Sequence, residues 1–280
     1  MVVHRNGLGH VLLLVPALLL SGAFVASLFV LFFSSSVGSD GVFTMEHYGR
    51  ILGDPLFRDY LWVTLRIALY TVAISLLIGL TMAFWIVRTR HPWLRSALIM
   101  CITVPFLTSM IVRLYAFTII LGNAGLVNKF LRWVGLVESD GFLPLLRHES
   151  GVIFGTTTFV LPFMIFMLIG SFRRMDSTME EASYSLGAGR LTTFFKITLP
   201  LLVPGIAAAA SLGFVLSSVA FSSPLVVGGG SVTMLANAIY SEAVQLLNRG
   251  MAAALAILSL ILTFAVLYPV RRFETRGHVT

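Results

Sequence analysis

The sequence predicts an all-α integral membrane protein with six transmembrane helices, folded as one membrane domain over residues 1–280. Hydrophobic residues make up 58% of the chain and charged residues only 11%, whereas soluble domains carry about 25% charged residues. Six apolar windows each approach or exceed the roughly 20 residues needed to cross the hydrocarbon core. Every backbone amide in lipid must be paired within its own segment, and no window alternates with period two, so helices are expected. The windows are 11–33, 62–87, 97–121, 152–171, 201–227 and 251–270.

The first two windows differ in how they begin. Window 11–33 follows His4 and Arg5, is too long for a signal-peptide core, and is followed by no clear small-x-small cleavage site. It is therefore expected to be an uncleaved membrane helix. Window 62–87 carries Arg66 near one end, where a basic side chain is expected to anchor the helix at the membrane boundary.

Four prolines in the windows 97–121, 152–171 and 201–227 are expected to bend their helices. They are Pro105, Pro162, Pro204 and Pro224. The window 97–121 also contains Arg113, and a charge in the middle of a bilayer costs about 2.5–3.5 kcal/mol on insertion scales. Arg113 is therefore expected either to be functional or paired between helices, or to reach the interface with its long side chain.

The distribution of basic residues predicts an orientation. Eleven of the 19 lysines and arginines lie in the N-terminus, the 88–96 loop, the 172–200 loop and the C-terminal tail. The alternate loops hold six, together with eight of the twelve acidic residues. The positive-inside rule places the richer side, with both termini, in the cytoplasm. This asymmetry accounts for the net charge of +7 without a nucleic-acid partner.

The segment 176–200 is far longer than a turn and lies on the predicted cytoplasmic side. Ser177 and Glu180 have the spacing of a capping box, which predicts a helix beginning here. Gly187 is placed to end that helix in the left-handed conformation. A second short helix is expected over 191–197, limited by Pro200. From these features alone, the segment could be a simple amphipathic connector resting on the headgroups.

The first of these helices is also predicted to carry one apolar stripe. Three apolar residues recur there at helical spacing, namely Met179, Ala182 and Leu186.

A spaced motif in the same segment carries a family resemblance. Glu181-Ala182-Ser183, then Gly187, then Ile197-x-Leu199-Pro200 resembles the EAA motif of binding-protein-dependent ABC importer permeases, with Ser183 where the pattern has alanine. In that family the segment is a coupling helix that docks in a groove of the ATPase subunit, with Glu181 and Gly187 at the positions of the central contacts. The resemblance implies an ATPase-coupling set of Glu180, Glu181, Ala182, Ser183, Gly187, Ala188, Ile197, Leu199 and Pro200.

Further segments are similar to the spermidine/putrescine-type branch of these permeases. They include residues 44–48, 104–117, 125–128 and 221–236, and the resemblance spans about residues 43–265. It implies the fold of a type I ABC importer permease in a bacterial inner membrane, working by alternating access. The implied partners are two copies of an ATPase, a second permease subunit, commonly a different chain in this branch, and an extracytoplasmic substrate-binding protein.

The chain has no phosphate-binding loop of the form GxxxxGK[ST]. ATP and Mg²⁺ are therefore expected to bind the partner ATPase, with no enzymatic activity, cofactor or metal site in this chain. An ion-coupled secondary transporter is the alternative of another class. It would usually show internal repeats and acids inside its spans, and neither is found here.

The sequence suggests candidates for the substrate path and for the substrate. Candidate path residues are Arg113, Tyr115, Phe117, Ser222 and Ser223, although aromatic and hydroxyl side chains in membrane helices are more often packing contacts. A polyamine is the leading substrate. Yet no acid lies within a predicted span, and Ala220 stands where many relatives of this type carry one. Amino-acid derivatives, phosphonates and metal cations stay as alternatives.

Overall fold

The structure is a computed structural model that describes residues 7–36, 45–138, 141–176 and 178–276, and all regular structure in those ranges is helical. Arg5, Thr44 and Ser177 lie outside the described residues. The helices are α1 (Gly7–Ser36), α2 (Glu46–Gly53), α3 (Pro55–Arg88), α4 (Pro92–Leu107), α5 (Met110–Ile120), α6 (Leu126–Trp133), α7 (Glu149–Arg174), α8 (Thr178–Ser185), α9 (Arg190–Thr193), α10 (Leu199–Ser218), α11 (Ser222–Val226), α12 (Leu235–Tyr240) and α13 (Arg249–Arg276). Two π-helical turns, Phe194–Thr198 and Ser241–Gln245, precede α10 and α13.

The described helices confirm an all-helical membrane architecture. Five of them are long and apolar enough to cross a bilayer, and a sixth span results if α4 and α5 count as one. The qualifying stretches are Val15–Phe33, Pro55–Arg88, Glu149–Arg174, Arg190–Ser218 and Arg249–Val270.

The third predicted span, 97–121, is not one straight helix. Helices α4 and α5 meet at an angle of 98°, and the connecting Thr108 is extended. Pro105 lies one turn before the break, where its ring removes a backbone donor and crowds the carbonyl four residues earlier. The expectation that Pro105 bends its helix agrees with this break, and α4 and α5 together make the third span if the bent pair counts as one.

The fifth predicted span, 201–227, ends earlier than expected. Helix α10 stops at Ser218, and α11 begins separately at Ser222. Pro224 cannot donate to the carbonyl of Ala220, so an uninterrupted helix through this region is disfavoured. The span is instead extended at its other end, because α9, the π turn and α10 follow one another without a gap.

The chain divides into two compact units. The first comprises Met1–Arg58 and Ala238–Leu258. Within it, Ile51 of α2 is fully buried, and Gly250 lets His47 approach so closely that a Cβ there would lie 2.5 Å from the imidazole Nε2. The single domain over residues 1–280 stays a prediction.

The second unit comprises Asp59–Asn237 and Ser259–Thr280 and holds the main core. Helix α7 lies at its centre, with Val160, Met164 and Leu168 fully buried along one stripe. Helix α10 packs against α7 through glycine. A Cβ on Gly213 would lie 2.6 Å from the Met164 sulfur. Small residues at such contacts let membrane helices approach closely, so this pair forms a tight support for the segment between them.

Candidate functional site

The Asp176 carboxylate accepts a hydrogen bond at the start of helix α8. The Thr178 amide donates to Asp176 Oδ1 at 2.9 Å, and this hydrogen bond lowers the pKa of the Asp176 carboxyl. The Glu180 carboxylate, expected to close a capping box, binds other groups instead. The residue that was to complete the box, Ser177, lies outside the described residues.

Glu180 is a buried junction between three parts of the chain. Its side chain is only 5% exposed. One carboxylate oxygen accepts from the Arg88 guanidinium at the end of α3, and the other accepts from the Thr198 hydroxyl. The Arg88 guanidinium also lies over the Phe84 ring, 5.4 Å from its centroid. The end of α3, α8 and the π turn before α10 are therefore joined through one carboxylate.

Gly187 ends α8 as predicted, with φ of +83°. Its amide donates to the Tyr184 carbonyl at 3.0 Å, and the Ala188 amide donates to the Ser183 carbonyl at 3.1 Å. This pair of bonds is a Schellman motif, which satisfies the last carbonyls of a helix. The left-handed conformation that glycine adopts without strain is therefore required at this position.

A buried hydroxyl pair joins α8 to α9. Ser183 and Thr193 are both buried, and their hydroxyl oxygens lie 2.9 Å apart in a hydrogen bond. The serine that replaces the alanine of the family pattern is therefore more than a small packing residue. Alanine at this position would leave the Thr193 hydroxyl without this partner.

The second short helix differs from the prediction over 191–197. Helix α9 covers Arg190–Thr193, and a π turn then leads directly into α10. The Leu199 amide donates to the Phe194 carbonyl five residues earlier. Pro200, which has no amide hydrogen, lies in the first turn of α10. The wider π turn accommodates this proline, so Pro200 does not limit the helix as expected.

The exposed surface of α8 and the glycine that follows it carries one acid beside several apolar residues. Glu181 and Ala182 are exposed, and Leu186 is 88% exposed. A Cβ on Gly187 would meet nothing within 4 Å. Of the other predicted coupling residues, Ala188, Ile197 and Leu199 are half-buried and Pro200 is exposed. The predicted stripe of Met179, Ala182 and Leu186 is thus exposed on the surface of the chain.

The residues predicted to line the substrate path do not form one cluster of side chains available to a substrate. Ser223 is fully buried and donates to the Val152 carbonyl of α7 at 3.0 Å. Phe117 packs edge-on against Phe154 at 5.0 Å. Tyr115 is 60% exposed, and Ser222 is half-buried. Ser223 and Phe117 therefore serve helix packing.

Arg113 joins the two helices of the broken span. Its Nη1 donates to the Pro105 carbonyl at 2.7 Å, close to the end of α4. Cations are favourable near the carbonyl end of a helix, so this contact stabilises the bend. Its Nε is buried and has no hydrogen-bond partner among the described residues.

The other span arginine, Arg66, forms an ion pair with Glu149 at the start of α7. Sequence reasoning missed this pair.

Comparisons with known proteins match this architecture. The family model described as "Binding-protein-dependent transport system inner membrane component" matches residues 75–276. The chain is 33% identical over 207 residues to the spermidine/putrescine transport system permease protein PotB of Escherichia coli (strain K12), covering 74% of this chain and 73% of that protein. It is 28% identical over 256 residues to PhnU of Salmonella typhimurium (strain LT2), a permease protein whose proposed substrate is 2-aminoethylphosphonate, covering 91% and 88%.

Solved structures show the same fold. A bacterial ABC transporter involved in the import of the acidic polysaccharide alginate has a chain with a TM-score of 0.80 to this one. The two chains are 17% identical, and the match covers 97% of this chain and 96% of that one. The inward-facing MetNI methionine ABC transporter gives a TM-score of 0.60 at 18% identity, covering 79% and 96%.

Proposed function

The chain belongs to the family of binding-protein-dependent transport system inner membrane components, and we propose that it is the permease subunit of an ATP-driven polyamine importer. The observation that carries the substrate class is the 33% identity to a spermidine/putrescine permease over 74% of the chain. In this proposal the substrate crosses by alternating access, and both termini lie in the cytoplasm.

The exposed surface of α8 supports a docking role for this segment. The side chains of Glu181, Ala182 and Leu186 are exposed. Those of Glu180 and Ser183 are buried and hold the helix against the rest of the chain. A docked element passes a displacement to the membrane helices only if its inner contacts hold, and these two buried contacts supply that connection. The docking partner is an ATPase that binds ATP and Mg²⁺, present in two copies.

The complete assembly in this proposal contains two further partners. One is a second permease chain, and the other is an extracytoplasmic protein that delivers the substrate. The description of the family as binding-protein-dependent refers to such delivery proteins, which supports this composition.

A charge reversal tests the docking role. Glu181→Lys should abolish co-purification of the ATPase, because the exposed carboxylate becomes a cation while the buried contacts stay intact. Glu138→Lys is the matched control, since Glu138 is also exposed and lies in a loop predicted to face outward. Normal ATPase recovery with the Glu181 variant, at equal permease levels, would contradict the proposal.

A second candidate substrate class is favoured by Arg113. The described membrane helices carry acids only near their ends, whereas a polycation would be helped by carboxylates or aromatic faces such as that of Tyr115. The buried, unpartnered Nε of Arg113 would suit an anionic group. An aminoalkylphosphonate carries one, and a relative covering 91% of this chain has 2-aminoethylphosphonate as its proposed substrate.

Uptake measurements separate the two candidates. Cells that lack their own importers and express the complete system are supplied with labelled putrescine or labelled 2-aminoethylphosphonate. A polyamine importer accumulates only putrescine, and Tyr115→Leu reduces that uptake. Accumulation of the phosphonate alone, lost in Arg113→Gln, would replace the polyamine assignment with the second candidate.

A further inference from the structure

A cavity of about 990 Å³ lies beside the coupling segment and is lined by the end of α3, α8, α9 and the π turn. All its lining residues belong to the second compact unit. A volume of this size is at the upper end of the range for small-molecule sites. The cavity therefore has room for a ligand of substantial size.

The charged lining of this cavity is entirely positive among the described residues. Arg88, Arg90 and Arg190 line it, and no acidic residue does. Arg88 already binds Glu180. Arg90 and Arg190 are exposed, and the described part of the chain provides no ion pair for either. Two guanidinium groups from different elements are thus left to bind an anion.

Most of the uncharged lining is apolar or aromatic, and Thr81, Thr89 and Thr198 are its polar members. Leu80, Phe84 and Trp85 line the cavity from α3, and Leu191 and Phe194 from the other side. Leu80 precedes Arg88 by eight residues, which is about 12 Å along a helix. Trp85 is 65% exposed, and tryptophan is enriched where membrane meets water. The lining thus runs from charged to apolar over a distance comparable to the upper part of a lipid.

We propose that this cavity binds the phosphate headgroup and upper acyl chain of an anionic phospholipid of the inner leaflet. Basic pockets between membrane helices on the cytoplasmic side suit such headgroups. A free phosphate would leave the apolar wall wet, so the amphipathic ligand fits better. The location rests on the cytoplasmic orientation in the proposed function. A bound lipid would bridge Arg90 after α3 and Arg190 of α9, and so stabilise the coupling segment.

Native mass spectrometry of the purified permease in detergent tests this site. The protein is titrated with dioleoylphosphatidylglycerol or dioleoylphosphatidylcholine, without ATPase or transport. The wild type should bind one phosphatidylglycerol in preference. Arg90→Gln/Arg190→Gln should weaken that binding about thirtyfold, given about 1 kcal/mol for each arginine near an anionic surface. The matched control is Arg95→Gln/Lys196→Gln, which removes the same charge from the same predicted side outside the cavity; it should bind as the wild type does.

A second variant keeps every charge. Thr81→Trp should lower phosphatidylglycerol binding by filling the part of the cavity that Thr81 lines. The proposal would be overturned if Arg90→Gln/Arg190→Gln and its matched control lost phosphatidylglycerol binding equally. It would also be overturned if Arg90→Gln/Arg190→Gln kept the wild-type preference for phosphatidylglycerol over phosphatidylcholine. Full competition by millimolar inorganic phosphate would also overturn it, because the site would then bind a free anion. None of these results bears on ATPase docking, which Glu181→Lys tests separately.

Discussion

Removing Arg88 should destabilise the protein more than neutralising its partner Glu180. The Glu180 side chain is 5% exposed, whereas that of Arg88 is 37% exposed. In Arg88→Met a carboxylate remains almost fully buried, held only by the Thr198 hydroxyl. In Glu180→Gln the amide oxygen can still accept from Thr198, and the guanidinium can take water as its partner.

The expected losses in the free energy of unfolding follow from this difference in burial. Breaking a buried pair from one side costs about 3–5 kcal/mol. Because one hydroxyl contact to the carboxylate remains, Arg88→Met should cost about 3 kcal/mol. Solvent screening reduces the cost of Glu180→Gln to about 1 kcal/mol. The double variant should lose about 2 kcal/mol, less than the sum of the single losses, because contacting residues are coupled.

The loss of stability is measured by heating the purified variants and determining the fraction that stays monodisperse on size-exclusion chromatography. At about 2 °C per kcal/mol for a chain of this size, the expected losses in Tm are about 6 °C for Arg88→Met, 2 °C for Glu180→Gln and 4 °C for the double variant. Arg173→Met is the control, since Arg173 is exposed at the end of α7. Equal losses for the two single variants, or a larger one for Glu180→Gln, would refute the reasoning.

Three further substitutions test local geometry by the same unfolding assay. Gly187→Ala should cost about 1–2 kcal/mol from the left-handed conformation alone, because a Cβ there meets nothing within 4 Å; Gly187→Asn should cost less, and an equal loss would contradict this. Ser183→Ala should cost about 1 kcal/mol by leaving the Thr193 hydroxyl unpaired, and adding Thr193→Val should recover stability; no recovery would argue against the hydroxyl pair. Gly155→Ala should destabilise because its Cβ would lie 2.5 Å from Ser223 Oγ, and Ser223→Ala should relieve part of that loss; a tolerated Gly155→Ala would show that the close packing is absent.

Local patterns predicted much of the coupling segment. The glycine stop at Gly187 is confirmed because a single residue type and a short range of contacts decide it. The apolar spacing of Met179, Ala182 and Leu186 likewise follows from helix geometry alone. The direction in which that stripe points depends on what holds the other side of α8.

Long-range partners could not be predicted. Glu180 and Arg88 are 92 residues apart, and no local spacing links them. Glu180 therefore looked like a capping residue, although its carboxylate binds an arginine at the end of another helix. A bend at Pro105 was expected, but its angle of 98° could not be predicted. An apolar window predicts insertion, whereas the direction of the chain after a proline is set by contacts such as that of Arg113 with the Pro105 carbonyl.

The unbroken run from α9 through the π turn into α10 has a mechanical consequence. The 29 residues Arg190–Ser218 form an arm of about 44 Å at the usual helical rise. A continuous helical arm converts a small tilt at one end into a larger displacement at the other: a tilt of about 5° displaces the far end by about 4 Å over that length. Transmission of a tilt in this way needs no flexible linker. A loop at Pro200 in place of the π turn would reduce the displacement that reaches the far end.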